Sequence, residues 1–272
     1  MPTFTGKKFS NFYKNLFGIN QTSNTGVDAT TRNLQDGAGN SSSISLSDDV
    51  LSVQPVNDDT TGTMLVKNKA GNNILAVDTT NSKVLAGASQ VAANTQYAYF
   101  GIDWTDSSGH TADIHHAIPF QAATGSTATA GTNMGSSTSS SFNDTNPATS
   151  LTISTNGHYY TMCYWYVPDN IAVDAVHWWH AADTATGDST AAHLMVYDVV
   201  SDNSSTSGDL SNGVVVADGA TITNAGNEQA YYQSMTIQSA NVDAGQVVLF
   251  TFAADTINSD YSIIATVKYH IR

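Results

Sequence analysis

The chain has very few positive charges, and most of its length has none. Nine of its 272 residues are Lys or Arg, and the 184 residues from Val84 to Val267 include neither. That stretch carries fifteen Asp and one Glu, whereas residues 1–83 carry seven acidic and seven basic side chains. Ion pairs therefore cannot hold the acidic region together, and apolar packing and backbone hydrogen bonds must do so. The negative charge also argues against nucleic acid or an anionic membrane as a partner.

Cysteine, glutamate and long apolar runs are also scarce. Cys163 is the single cysteine, so no disulfide framework exists, and we expect its thiol to be a small buried hydrophobe. Glu228 is the single glutamate, and the abundant Thr, Val, Tyr and Asn favour strands and turns over helices. No apolar run approaches membrane-spanning length, and the first residues do not resemble a signal peptide. We therefore expect synthesis in a cytoplasm and no membrane insertion.

One short segment, residues 8–17, has helical periodicity, and we predict a short amphipathic helix there. Its apolar face consists of Phe9, Phe12, Tyr13, Leu16 and Phe17. A helix this short is marginal by itself, so this face needs a surface to bury against. It can pack within the chain, dock on another protein or on other copies, or lie on a membrane, for which its basic face is thin.

The next part of the chain predicts short strands. Residues 20–43 are polar and punctuated by Gly, with no apolar period, and we expect them to be extended or irregular. Five short β segments with turn sequences between them follow, at 43–47, 50–53, 63–67, 73–77 and 83–86. A single copy cannot build a core from segments this short, whereas three copies winding together can.

The region from Tyr97 to Arg272 predicts a different structure. Roughly ten strands, several of them alternating apolar and polar residues, indicate an antiparallel β-sandwich of jelly-roll type. The predicted strands are 97–104, 112–120, 150–154, 158–167, 173–180, 192–199, 213–217, 230–238, 246–254 and 261–271. The sequence thus predicts an all-β chain in three parts. These are an N-terminal anchoring segment at 1–40, a short-strand stalk at 41–95 and a head at 96–272.

The N-terminal third resembles parts of phage fibres. One segment within residues 41–87 resembles stalk segments of phage fibre proteins; its sequence is "ISLSDDVLSVQPVNDDTTGTMLVKNKAGNNILAVDTTNSKVLAG". In those proteins, short sequences like "VDTTNSKV" precede a C-terminal β head. The preceding "FSNFYKNLFGINQTSNTGVDATTRNLQDGAGNS" is similar to N-terminal attachment segments of marine tailed-phage virion proteins. The head is similar to trimeric jelly-roll tips of fibres and of tumour-necrosis-factor-like ligands. The resemblance implies a homotrimeric virion appendage with an anchor, an intertwined stalk and a distal head.

This resemblance also implies partners. They are other copies of the chain and, through residues 1–40, another virion protein of the capsid or the tail, with a host-surface glycan as a further candidate. Alternatives are a capsid decoration protein without a receptor role, and a secreted carbohydrate-binding or depolymerase module. The resemblance supplies no catalytic residue, and motifs for nucleophilic, phosphate-binding and zinc-protease sites are missing from the sequence. We therefore predict a non-enzymatic protein of the virion without a cofactor.

Histidines and aspartates form two clusters with metal-ligand chemistry. The histidines are His115, His116, His177, His180 and His193. His177 and His180 point to opposite faces of one strand and cannot share a metal, so we expect imidazoles with hydrogen-bond partners in a core or an interface. The aspartates are Asp183, Asp188, Asp198, Asp202 and Asp209. They lack the spacing of a Ca²⁺-binding loop, so we expect turn caps and predict no metal site.

Aromatic residues form a third cluster, whose rings suit sugar stacking. It comprises Tyr159, Tyr160, Tyr164, Trp165, Tyr166, Trp178 and Trp179. Strand alternation turns about half of these rings inward, to a core or a trimer interface, and the others outward. The candidates for surface adhesion are Tyr166, Trp178 and Trp179, together with the Ser/Thr/Gly-rich segment 125–146.

Overall fold

The chain is an all-β structure, with 52% of its residues in strands and 1% in helices. The computed structural model describes residues 13, 16–22, 26–87, 91–104, 111–121, 134–142, 146–153, 160–183, 186–256 and 260–272. Every strand pair in this part of the chain is antiparallel. The predicted all-β class is confirmed. The chain divides into two compact units, residues 1–94 and 95–272, which are described separately.

The first unit contains two small sheets of four strands each. One sheet has the order β1-β2-β3-β4, with β1 at Phe17–Ile19, β2 at Arg32–Asp36, β3 at Ser41–Leu46 and β4 at Leu51–Val53. The other has the order β5-β6-β7-β8, with β5 at Met64–Lys67, β6 at Asn73–Asp78, β7 at Lys83–Ala86 and β8 at Val91–Ala92. The five short segments predicted here are all strands, with ends within two residues of the predicted ones.

Strand β2 is a difference from prediction, because residues 20–43 were expected to be irregular. The Asp36 side chain explains the strand: its Oδ1 accepts hydrogen bonds from the backbone N–H groups of Ala38 and Asn40, both at 2.9 Å. This cap closes a tight turn, and the chain returns as β3. The predicted boundary between anchor and stalk, at 40/41, therefore falls inside one β-hairpin.

The predicted helix at residues 8–17 lies mostly outside the described residues. Tyr13 forms a short 3₁₀ turn, in which the Leu16 N–H donates to the Tyr13 carbonyl at 3.0 Å. Phe17 already belongs to β1 and pairs with Asp36. The helical prediction is therefore wrong at Phe17, because this residue pairs with a neighbouring strand and is extended, not helical.

The second unit consists of two larger sheets. The five-stranded sheet contains β9 (Thr95–Trp104), β12 (Ile171–Ala182), β16 (Gln229–Ser234), β18 (Asn241–Val242) and β20 (Tyr261–Ile271). Its order is β16-β12-β20-β9, and β18 also pairs with β12. The seven-stranded sheet contains β10 (His116–Ile118), β11 (Trp165–Tyr166), β13 (Ser189–Val199), β14 (Leu210–Asp218), β15 (Ile222–Thr223), β17 (Thr236–Ile237) and β19 (Val247–Ala254). Its order is β10-β19-β13-β14-β17, with β11 beside β19 and β15 beside β13.

The main core lies between these two sheets. Phe100 of β9 and Trp178 of β12 meet Phe250 of β19, with ring centroids 6.1 and 6.2 Å apart. A second apolar cluster, which includes Tyr160 and Cys163, covers the opposite face of the seven-stranded sheet, so the thiol is buried as expected. All eight residues of β19 are consequently buried, whereas β20 alternates buried with exposed or half-buried residues over much of its length. The five-stranded sheet thus keeps one open face.

The strand predicted at 158–167 is wrong for most of its described length. The Cys163 N–H donates to the Tyr160 carbonyl at 2.8 Å, which closes a turn, and only Trp165–Tyr166 is extended. Residues 158 and 159 lie outside the described part of the chain. The apolar run is buried against a sheet face as a turn, so its hydrophobicity reports burial and not strand pairing.

Candidate assembly and binding surfaces

The described residues of the first unit form two sheets and bury very few side chains. Ala76 and Asp78 are the only buried side chains among those described in this unit. All four residues of β5 are exposed. The exposed large apolar side chains of the unit are Tyr13, Phe17, Val27, Ile44, Val50, Leu51, Val53, Val56, Met64, Leu65, Val66, Ile74 and Val84. An apolar sheet face is normally covered by a second layer of structure, and the exposed side chains of these two sheets have no such layer over them.

The predicted anchoring residues are only partly described. Phe9 and Phe12 lie outside the described residues. Tyr13, Leu16 and Phe17 line a surface groove, whose other wall is the turn at 35–39. Phe17 is 70% exposed, which leaves its ring free for a partner.

The outer face of the five-stranded sheet carries a group of rings that we call the aromatic face. It consists of Tyr97, Tyr99, His177, Trp179, Tyr232 and Ile264. Strand register places Trp179 between Tyr232 and Ile264. Register also places Thr266 between His177 and Tyr99 in the next row. Four neighbouring strands thus contribute to one continuous surface.

The side chains of the aromatic face are about half exposed, and several of its rings contact one another. Tyr97, Tyr99, Trp179, Tyr232 and Ile264 are between 47% and 54% exposed. The Trp179 and Tyr232 rings lie 4.9 Å apart between centroids. The Tyr232 hydroxyl is hydrogen-bonded to His177 Nδ1 at 2.8 Å, and these two rings stack at 5.9 Å. Exposed rings clustered in this way make the aromatic face a candidate interaction surface.

The centre of the aromatic face has no carboxylate among the described residues, although the unit around it is acidic. Residues 95–272 contain sixteen acidic and two basic side chains. Among the described residues, the rows through Trp179 and His177 carry no acidic side chain. Lys268 lies in the third row, between Ala175 and Tyr97, and Asp174 is the bulged residue beside Ala175, hydrogen-bonded to His270 Nδ1 at 2.9 Å. Asp103 flanks the face one row further along β9, opposite Ser262. The face is therefore the neutral-to-basic part of a negative surface.

The three predicted adhesion residues occupy different environments. Tyr166 on β11 is 53% exposed and Trp179 on the aromatic face is 49% exposed, whereas Trp178 is fully buried. Trp178 belongs to the core, and its Nε1–H donates to Gln233 Oε1 at 3.1 Å. Adjacent residues of a strand face opposite sides, so Trp178 cannot reach a host surface, and that prediction is wrong. Tyr166 and Trp179 stay predictions.

Two of the predicted histidines meet inside the second unit. His115 and His193 are fully buried, and their ring centroids lie 5.1 Å apart. Burial lowers the pKa of His115 to about 3 and that of His193 to about 4, and the neighbouring His193 contributes to the His115 shift. Both rings are therefore neutral at neutral pH. His193 Nε2 lies 3.4 Å from the carbonyl oxygen of Ser139, in the segment beside them.

Three of the buried imidazoles, His115, His180 and His193, each have a hydrogen-bond partner on one ring nitrogen, as expected, but not on the other. His115 Nε2, His180 Nδ1 and His193 Nδ1 have no hydrogen-bond partner among the described residues. His193 Nδ1 lies 3.2 Å from Asp218 Oδ1, but without hydrogen-bond geometry. Within the described residues, no three His, Cys, Asp or Glu side chains are grouped so that they could hold a metal ion.

Among the aspartates cited here, the expected turn cap is seen at Asp202, whereas Asp198 lies in β13 and Asp209 bonds to a distant loop. Asp198 Oδ2 accepts a hydrogen bond from Asn212 Nδ2 at 2.8 Å, and Asp202 Oδ1 accepts one from the Ser204 N–H at 3.0 Å. These bonds lower the pKa of both carboxyls. Asp209 Oδ1 accepts a hydrogen bond from the Ile153 N–H at 2.7 Å and ties two loops together.

Two comparisons with known sequences give no match. No protein-family model matches this chain, and no curated protein matches it significantly. Among the described residues, no helix has the length and apolar character needed to cross a membrane. Function must therefore be inferred from the surfaces above and their chemistry.

Proposed function

We propose that this chain is the subunit of a homotrimeric virion appendage, attached through residues 1–40 and carrying an outward β head. The observation that carries the proposal is how few side chains are buried among the described residues of 1–94, where only Ala76 and Asp78 are. A structure of this kind is incomplete as a single copy. It needs an equal partner along its whole length, and other copies of the chain are such a partner.

The energetics favour assembly of this unit. Full burial of a Val, Leu or Ile side chain contributes about 1.5–3 kcal/mol, and ten such side chains are exposed among the described residues of this unit. Covering them from neighbouring copies would replace the core that the short strands cannot build alone. Leu51, at 68% exposure on edge strand β4, shows how far the single copy is from a closed structure. The number three comes from the resemblance of residues 41–87 to phage stalks.

The mass of the full chain in solution tests this assembly. We expect mass photometry to show three times the 28.7 kDa of the chain. Leu51→Glu combined with Leu65→Glu places charges on both small sheets, and this variant is expected to dissociate. Val214→Glu, at a site 46% exposed in the second unit, is the control and should stay assembled. A stable wild-type monomer would contradict the proposal.

The location on the particle tests the virion assignment. Immunogold labelling is expected to find the protein on particles, and deletion of residues 1–40 is expected to abolish its incorporation. Host adsorption then separates two roles. A Tyr166→Ala variant that is incorporated but adsorbs poorly supports a receptor-binding head, because Tyr166 is a half-exposed ring at the surface. If particles without the protein adsorb normally, it is a capsid decoration protein.

A further inference from the structure

The geometry points to the aromatic face as an interface between the heads of neighbouring copies. This inference rests on the proposed function, because it presupposes that residues 1–94 bring copies together. It concerns a different surface, in the second unit, and assigns one occupant to it. The occupant is a second copy of residues 95–272.

Charge selects that occupant. Two copies of a unit with sixteen acidic and two basic side chains repel each other wherever their surfaces are acidic. Among the described residues, the two rows through Trp179 and His177 carry no carboxylate, so a copy can approach the centre of the face without opposing a like charge there. Lys268, within the face, also offers one cation to the acidic surface of the neighbour.

The composition of the face suits a protein partner. Trp and Tyr dominate the binding energy of protein interfaces, and three Tyr and one Trp lie here. The Trp179, Tyr232 and His177 rings already hold one another in place, through stacking and the 2.8 Å hydrogen bond. Burying them would cost little additional rotamer entropy.

Chain connectivity makes a small interface sufficient. Strand β9, which carries Tyr97 and Tyr99, begins at Thr95, directly after the first unit ends at Asn94. Once the first units have assembled, the heads are tethered to one another at an effective concentration in the millimolar range. Contact between heads then needs only modest intrinsic affinity, which half-exposed rings can supply.

Trp179 supplies a direct test in the intact full-length protein. Trp104, Trp165 and Trp178 are at most 7% exposed, so Trp179 is the only tryptophan that acrylamide can reach in a single copy. We expect the assembled wild type and its Trp179→Phe variant to lack any readily quenched fluorescence component. Ile264→Glu, next to Trp179 in the face, should expose a component that is quenched severalfold more efficiently, while the mass stays trimeric. Tyr166→Glu, on the other sheet, is the matched control and should leave quenching unchanged.

The outcomes separate this inference from the proposed function. A trimer in which wild-type Trp179 is freely quenched, with the Trp179→Phe variant lacking that component, overturns the interface and leaves the assembly of residues 1–94 standing. If that exposed component becomes protected on addition of soluble oligosaccharides, the face binds sugar and the interface is likewise overturned. A monomeric full chain overturns both proposals. The interface is supported if Trp179 is protected from quenching in the wild-type trimer and in Tyr166→Glu, and loses that protection in Ile264→Glu.

Discussion

His115 and His193 lie in contact beside residues 134–142, and both are neutral when the head is folded. Their folded pKa values are about 3 and about 4, below the ordinary 6.5 that applies once the chain unfolds. Above pH 6.5 neither state binds the protons. Below it the unfolded state takes them up first, so the free energy of unfolding falls as the pH drops through this window.

We predict that each of these histidines lowers the free energy of unfolding by about 1.4 kcal/mol per unit of falling pH, once the pH is well below 6.5. Urea unfolding between pH 7 and 5 measures the slope. A His193→Gln variant is expected to lose about half of the two-histidine contribution, whatever its overall stability. An unchanged slope in that variant would show that His193 is not the group that titrates.

The single thiol is predicted to be inert in the folded protein. Cys163 is buried, and burial raises the pKa of its thiol to about 12, so almost no thiolate forms at pH 8. Ellman's reagent is therefore expected to label no thiol under native conditions and one thiol per chain in urea. Rapid labelling of the native protein would mean that the turn at 160–163 opens readily.

Trp178 and Trp179 show what sequence can and cannot decide at this scale. Alternation predicts that the two rings point to opposite sides of β12. It does not say which ring is inside, because the set Val176, Trp178 and His180 is as mixed in polarity as His177 and Trp179. Contact with Phe250 and Phe252 of the facing sheet decides it, and that pairing is between strands far apart in sequence.

At the scale of elements, β14 depends on a glycine. A Cβ at Gly213 would lie 2.5 Å from Tyr197 Cε1 and 2.9 Å from Thr149 Cα. The Tyr197 hydroxyl donates to the Ala148 carbonyl at 2.8 Å, so this ring cannot move aside cheaply. We predict that Gly213→Ala destabilises the protein by about 1–3 kcal/mol, measured by urea unfolding.

Gly226→Ala is the control for that measurement. Its nearest neighbours are the terminal side-chain atoms of Gln229, at 3.2 Å, which can rotate away. We expect an effect below about 1 kcal/mol. Equal effects in the two variants would mean that β14 adapts to the larger side chain.

Strands with long, regular patterns were predictable, and short polar ones were not. Strand β20 occupies Tyr261–Ile271, as its alternating apolar and polar residues predict. It is a central strand, paired with β12 on one edge and β9 on the other, so the alternation persists over much of its length. Strand β2 has no apolar period and exists because the Asp36 cap brings it onto β3. The aromatic face could not be assembled from sequence, since its members come from four strands whose order depends on long-range pairing.

At the scale of the whole molecule, trypsin should release the head as one fragment. No Lys or Arg occurs between Lys83 and Lys268, and Lys268 lies within the β20 ladder, paired to both β12 and β9. Cleavage after Lys268 requires this central strand to leave the sheet, whereas Lys83 is the first residue of the four-residue strand β7, next to a turn. We therefore predict a resistant fragment of residues 84–272, identified by intact mass. Loss of that fragment would mean that the head does not survive without the first unit.

Salt is predicted to stabilise the same region. The acidic side chains of this region outnumber the basic ones and repel one another. Raising the ionic strength from 0.01 to 1 M shortens the screening length from about 30 to 3 Å, which weakens that repulsion. The melting temperature is therefore expected to rise with NaCl, and to the same extent with KCl. A decrease would show that attractive ion pairs such as Arg272–Asp243 dominate instead.

The pairing of the first and last head strands has a mechanical consequence. Strand β9 enters the head at Thr95 and pairs with β20 over ten residues, from His270 to Tyr261. Ladder hydrogen bonds run perpendicular to their strands, so a pull along β9 from residue 94 loads all of them together in shear. A head held at its far side would resist such a force as a unit, where a strand pulled sideways would unzip one bond at a time.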